Sequence, residues 1–106
     1  MFDHYEQLGD LVIRNLAEET SDPAAEAVVR MGRADHRRWV QRQFGPQLAR
    51  CAREDRQELV DALVAACDVY VWKLLRRDLR RSRARATGSV TRTVKGLLRA
   101  DPAKSV

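Results

Sequence analysis

The sequence predicts an all-α fold of about five helices in an antiparallel bundle. Three observations carry that expectation. Apolar residues recur at three- and four-residue intervals along most of the chain, no segment alternates apolar and polar residues with the period of a strand, and residues 54–80 contain neither Gly nor Pro.

Residues 3–19 place Tyr5, Leu8, Val12 and Leu16 on one stripe, widened by Leu11 and Ile13, which is the pattern of an amphipathic first helix. Thr20 and Ser21 mark its end. Asp22 followed by Pro23 supplies an N-cap and a first-turn proline for a short second helix through Arg30, with Gly32 as its stop. A third helix opens near Asp35 and passes Trp39, Val40 and Phe44 toward Leu48. It is bent at Gly45-Pro46, because Pro46 has no amide hydrogen to donate. The fourth, from Glu54 to about Arg80, is apolar on nearly every side at its centre, so it needs cover from the middle of a bundle or from a second subunit. The last runs from about Ala84 to Arg99. It carries Val90, Val94, Leu97 and Leu98 on one face and Ala84, Gly88 and Thr91 as a small-residue strip that another backbone can approach. Residues 1–100 are read as one helical domain, and 101–106, which lack periodicity, as a frayed tail.

Of the 106 residues 44% are hydrophobic, 33% charged and 6% aromatic, with a net charge of +5. That apolar content suits a folded chain, although one of this size hides only about two-thirds of its unfolded surface by itself. No apolar run approaches the roughly 20 residues a bilayer needs, since Asp61, Asp68 and Lys73 interrupt the best candidate. The N-terminus is acidic where a secretory leader is basic. A cytoplasmic protein with no membrane contact is expected. Cys51 and Cys67 have no CxxC spacing and, with His4 and His36, make a poor ligand set. Both thiols are read as small core residues, with a lone functional thiol as the alternative, and no metal or other cofactor is expected. There is no Ser-His-Asp set, phosphate loop or HExxH, and the carboxylates are scattered, so catalysis is not expected.

Charge is polarised along the chain, −6 over residues 1–29, +2 over 30–72 and +9 over 73–106. The extreme lies at Arg76, Arg77, Arg80, Arg81, Arg83 and Arg85, opposed only by Asp78. Two readings follow. Cations complement a helix C-terminus and can face an acidic first helix, or the cluster 76–85 contacts nucleic acid. The first is favoured, because no aromatics interleave the arginines as a single-strand stacking surface requires.

The segments GRADHRRWVQRQFGPQLA (32–49) and LVDALVAACDVYVWKLLRRDL (59–79) resemble the C-terminal regulatory domain of TetR-type transcriptional regulators, and the likeness extends over about Tyr5 to Leu98. In that family an N-terminal helix-turn-helix headpiece reads operator DNA, while the C-terminal helices bind an effector and dimerise. The resemblance implies a homodimer built from the last two helices, with an unidentified small-molecule effector. It also places the start of this chain at the first regulatory helix, so operator DNA is expected to be read only through a headpiece absent from it. The residues expected at the interface or in the core adjoining it are Leu63, Cys67, Tyr70, Leu74, Val90, Val94 and Leu97.

An effector pocket in such a domain is apolar, with a few orienting polar groups. Residues of suitable type are His36, Trp39, Gln43 and Phe44 on the third helix and Asp68 and Trp72 on the fourth. For Asp68, set between Cys67 and Val69, a structural ion pair with a nearby Arg is favoured over ligand contact. Trp39 and Trp72 are read first as core aromatics whose indole N–H groups need partners. His36, flanked by Asp35 and Arg37, suits a solvated helix start. The function expected is therefore ligand sensing and homodimerisation in a TetR-type regulator. The alternatives are a nucleic-acid binder using residues 76–85 and an interaction module that pairs with full-length regulators.

Overall fold

The computed structural model describes residues 1–99, so the tail assigned to 101–106 lies outside them. Among the described residues every regular element is helical: α1 (Phe2–Ala17), α2 (Pro23–Gln43), α3 (Gly45–Ala49), α4 (Arg53–Ala66), α5 (Val69–Lys73) continuing into a π-helical turn (Leu74–Asp78), and α6 (Arg83–Arg99). The all-α expectation holds.

Asp22 caps α2 as its position suggests, its Oδ1 accepting from the Ala24 amide at 2.9 Å with Pro23 in the first turn. Gly32, expected to stop this helix, does not. It stays within α2 in a right-handed conformation, and the predicted second and third helices form one rod of 21 residues. A mid-helix Gly costs only about 1 kcal/mol relative to Ala. Both halves of α2 have partners that outweigh this: the first, with Ala25 and Val29 buried, runs beside α1, and the second, with Val40 buried, beside α4. The break comes instead at Phe44, where Gly45-Pro46 restarts the chain as the short α3.

The predicted rod from Glu54 to Arg80 is divided. It ends at Cys67, and Asp68 takes an extended conformation from which its carboxylate accepts from the Tyr70 amide at 2.9 Å, starting α5 afresh. An Asp side chain competes with helical backbone pairing in this way. The reason lies in the packing. Val40, Leu48, Val60 and Leu63 form one buried cluster with Trp39, Phe44, Val94 and Leu97 against it, whereas Tyr5, Val69 and Trp72 form another with Phe2, Val12, Ile13 and Leu16. Breaking the rod lets α4 serve the first centre and α5 the second. One chain thereby covers most of the apolar surface that the intact rod would have presented, leaving Tyr70, Leu74 and Leu79 about half exposed.

The second centre depends on Gly9. A Cβ built there would lie 2.5–2.9 Å from three ring carbons of Trp72, so the indole sits directly on the α1 backbone. This explains why Leu8 and Leu11, placed on the buried stripe by sequence, are 43% and 50% exposed: the contact turn of α1 belongs to Gly9. The Trp72 ring is 1% exposed and cannot swing clear. Gly9→Ala should therefore lower stability by about 1–3 kcal/mol through overpacking, despite the roughly 1 kcal/mol that Ala gains over Gly inside a helix. Urea titration followed by circular dichroism measures it, and an Ala variant as stable as the parent would contradict the close seating.

Candidate functional site

The six candidate ligand residues do not share one core cluster: Trp39 and Phe44 pack on the first and Trp72 belongs to the second. On α2, His36 stacks on Trp39 with ring centroids 6.2 Å apart and planes 6° from parallel, and Phe44 meets Trp39 edge-on at 6.3 Å. His36 Nε2 lies 3.2 Å from the Val64 carbonyl, which ties α2 to α4 and makes His36 half-buried instead of a solvated helix start. Gln43 is exposed. Trp39 and Phe44 pack against the first core cluster.

Asp68 and Trp72 lie near α1 residues, Asp68 beside Tyr5 and Trp72 in the cluster that includes it. The ion pair favoured for Asp68 is absent among the described residues. Its partner is the Tyr70 amide, because the helix begins there. Tyr5 donates its hydroxyl to the Cys67 carbonyl at 2.9 Å, satisfying the last turn of α4 from across the core. Burial, then the nearby Asp68 charge, pushes the Tyr5 phenol above its usual range. Burial also raises the Cys67 thiol, which fits a packed residue and not a reactive one. Trp72 has its Nε1 buried without a hydrogen-bond partner, while the Arg77 guanidinium lies 4.8 Å from its ring centroid. Sequence reasoning named both tryptophans but not Gly9 or Tyr5 as the partners that seat Trp72. The Gly at the centre of the α1 stripe was the available signal.

Of the seven interface candidates, Leu63, Cys67 and Val90 are buried within their own chain, and Val94 and Leu97 pack half-buried on the first cluster. Only Tyr70 and Leu74 turn outward, 52% and 48% exposed and four residues apart. The strip of Ala84, Gly88 and Thr91 also faces outward on α6.

Half of the arginine cluster is taken up by α1. Glu6 accepts from Arg76 Nε at 2.7 Å, Asp10 takes both Nε and Nη2 of Arg77 at 3.1 and 2.9 Å, and Asp3 pairs with Arg83. The acidic first helix thus clasps the basic segment, as charge polarity allowed. Of these pairs, Arg76–Glu6 is the most sheltered, with side chains 25% and 15% exposed, and so the least screened. Arg76 also donates to the Arg81 carbonyl at 2.9 Å, holding the turn in which Arg80 adopts a left-handed φ of 55°.

Two open surface grooves lie among the described residues, one along the outer face of α6 and one between α3 and α4, and none of the six candidates lines either. No three His, Cys, Asp or Glu side chains converge among those residues, and no helix there is long and apolar enough to cross a membrane. No known protein family, curated protein or solved structure matches the chain.

The Asp10 carboxyl is held below the usual carboxylate range, chiefly by its hydrogen bond from Arg77 and then by the charges of Arg77 and Arg14. A depressed carboxylate contributes stability above its unfolded pKa, and that contribution is lost as pH falls through the folded value. Asp10→Asn should be less stable than the parent at neutral pH, by under about 1 kcal/mol given its exposure. The gap should close on acidification below about pH 4. Paired denaturation curves across pH provide the check, and a gap independent of pH would argue against the clasp.

Proposed function

We propose that this chain is the self-associating regulatory domain of a TetR-type transcriptional regulator, pairing with a second copy of itself. The observation that carries the reading is the outward apolar pair Tyr70 and Leu74 on α5 and its π turn, within 59–79, one of the two segments that resemble that family. A thin core supports it: among the described residues the large side chains fully buried are Trp72, Leu63 and Val40, and large apolar groups remain on the surface. Two free thiols suit a reducing, cytoplasmic setting.

In this reading the pairing face is centred on α5. The last helix contributes little, because Ala86, Val90, Val94 and Leu97 already serve the chain's own core and its outer face is basic. The effector part of the resemblance has weaker support. The stack of His36, Trp39 and Phe44 offers aromatic surface, but it lines neither the groove on α6 nor the one between α3 and α4, so association is the core of the proposal. Pairing with a longer regulator through the same face is the second form it can take.

Sedimentation velocity at micromolar concentration should give a species of twice 12.1 kDa. Leu74→Asp should shift it to monomer with helical circular dichroism retained, because Leu74 is half exposed and outside both core clusters. A wild-type chain that sediments as monomer throughout would refute self-pairing, and capture of a headpiece-bearing regulator would then identify the second form.

A further inference from the structure

We propose that the outer face of α6 is a docking surface for the phosphate backbone of double-stranded nucleic acid, recognised without regard to base sequence. The face shares only Arg85 with the cluster 76–85, in which Arg76, Arg77 and Arg83 are held by α1 carboxylates, and it does not depend on how the chain self-associates.

Helix α6 reads RARATGSVTRTVKGLLR and contains no Asp or Glu. Its apolar side is committed inward, with Ala86 and Val90 buried and Val94, Leu97 and Leu98 packed on the first core cluster. At 3.6 residues per turn, Arg85, Arg92, Lys95 and Arg99 fall within an arc of about 80° on the opposite side, spread over about 21 Å of helix. All four are exposed, and none pairs with a carboxylate among the described residues. By contrast Arg76, Arg77 and Arg83 each hold an α1 carboxylate. Arg80, Arg81 and Arg85 of the cluster conspicuous in the sequence stay exposed without a carboxylate among the described residues, and Arg85 continues into a line of cations on α6 with Arg92, Lys95 and Arg99.

Relief as well as charge suits a polyanion. The groove along this face is lined by Ala84, Gly88 and Gly96 at its floor and by Arg92, Lys95 and Arg99 among its walls. A Cβ at Gly88 or Gly96 would meet nothing within 4 Å, so the surface is open and low between the cations. Thr87 and Thr91 add hydroxyl donors of the kind that contact phosphate.

The chemistry of the face selects among polyanions. It has no aromatic residue for stacking unpaired bases, which points to a duplex, and its cations, spread over about 21 Å of helix, suit a row of backbone phosphates. It exposes no bulky apolar side chain that could enter the acyl region of a bilayer, as an interfacial helix requires. A second copy applied through the same face would set like charges against like.

Each phosphate neutralised contributes about −0.9 to the slope of log affinity against log salt, so four contacts give about −3.6, or roughly 150-fold weaker binding between 50 and 200 mM salt. Fluorescence anisotropy with two duplexes of unrelated sequence should show that slope and similar affinities for both. R92Q/K95Q should reduce the slope to about −1.8 with unchanged circular dichroism, whereas R80Q/R81Q should leave it in place. The proposal is overturned by a slope that R92Q/K95Q does not change, by a loss that follows R80Q/R81Q instead, by tenfold discrimination between the duplexes, or by tighter binding to phosphatidylserine vesicles than to duplex at equal salt.

Discussion

The seating of the Trp72 indole on the bare backbone of Gly9 is the constraint on which much of the remaining structure depends. It brings α1 and α5 closer than two helices with ordinary side chains can come, and the ring is fully buried as a result. Burial of the ring must also exceed the cost of a Trp72 N–H left without a partner, on the order of 1–3 kcal/mol. Once α1 lies there, Tyr5 reaches the Cys67 carbonyl and Glu6 and Asp10 reach Arg76 and Arg77. The apolar contact fixes the distance between the helices, and the ion pairs fix their register at the edge. Exposed pairs of this kind contribute little each, so the clasp orients more than it stabilises.

The same contact accounts for the division of the long apolar segment. A single rod from Glu54 to Arg80 would have one axis, yet Leu63 serves the cluster with Val40 and Leu48 while Trp72 serves the cluster with Tyr5. Asp68 resolves the conflict by ending one helix at Cys67 and capping the next. From the divided segment Tyr70, Leu74 and Leu79 remain outside, while Leu8 and Leu11 on α1 and Val28 and Met31 on α2 are exposed as well. The basic face of α6 lies elsewhere, and a domain so built can pair through one surface and meet a polyanion on another.

Much of the fold was legible in the sequence, because helical periodicity, the Asp22-Pro23 start and the Gly45-Pro46 break are local signals. The misreadings arose where tertiary packing overrode local preference. Gly32 looked like a stop, but α2 has partners on both sides of it. Asp68 looked like a carboxylate stranded in a helix needing an arginine, and only the change of axis shows that a backbone amide suffices. For the candidate sites less was legible. Residue type singled out His36, Trp39 and Trp72, but which core each joins depends on contacts across up to 70 positions, as between Glu6 and Arg76. The arginine cluster illustrates the same limit: composition shows the charges, and only the fold shows which of them α1 has already taken.

The most direct measurement is a nuclear Overhauser spectrum of the folded chain. Strong cross-peaks are expected between the Gly9 Hα protons and the ring protons on Cζ3 and Cη2 of Trp72, with the Hα resonances shifted upfield by the indole. A spectrum in which Trp72 shows contacts to other residues and none to Gly9 would contradict the account and detach α1 from its place in the fold.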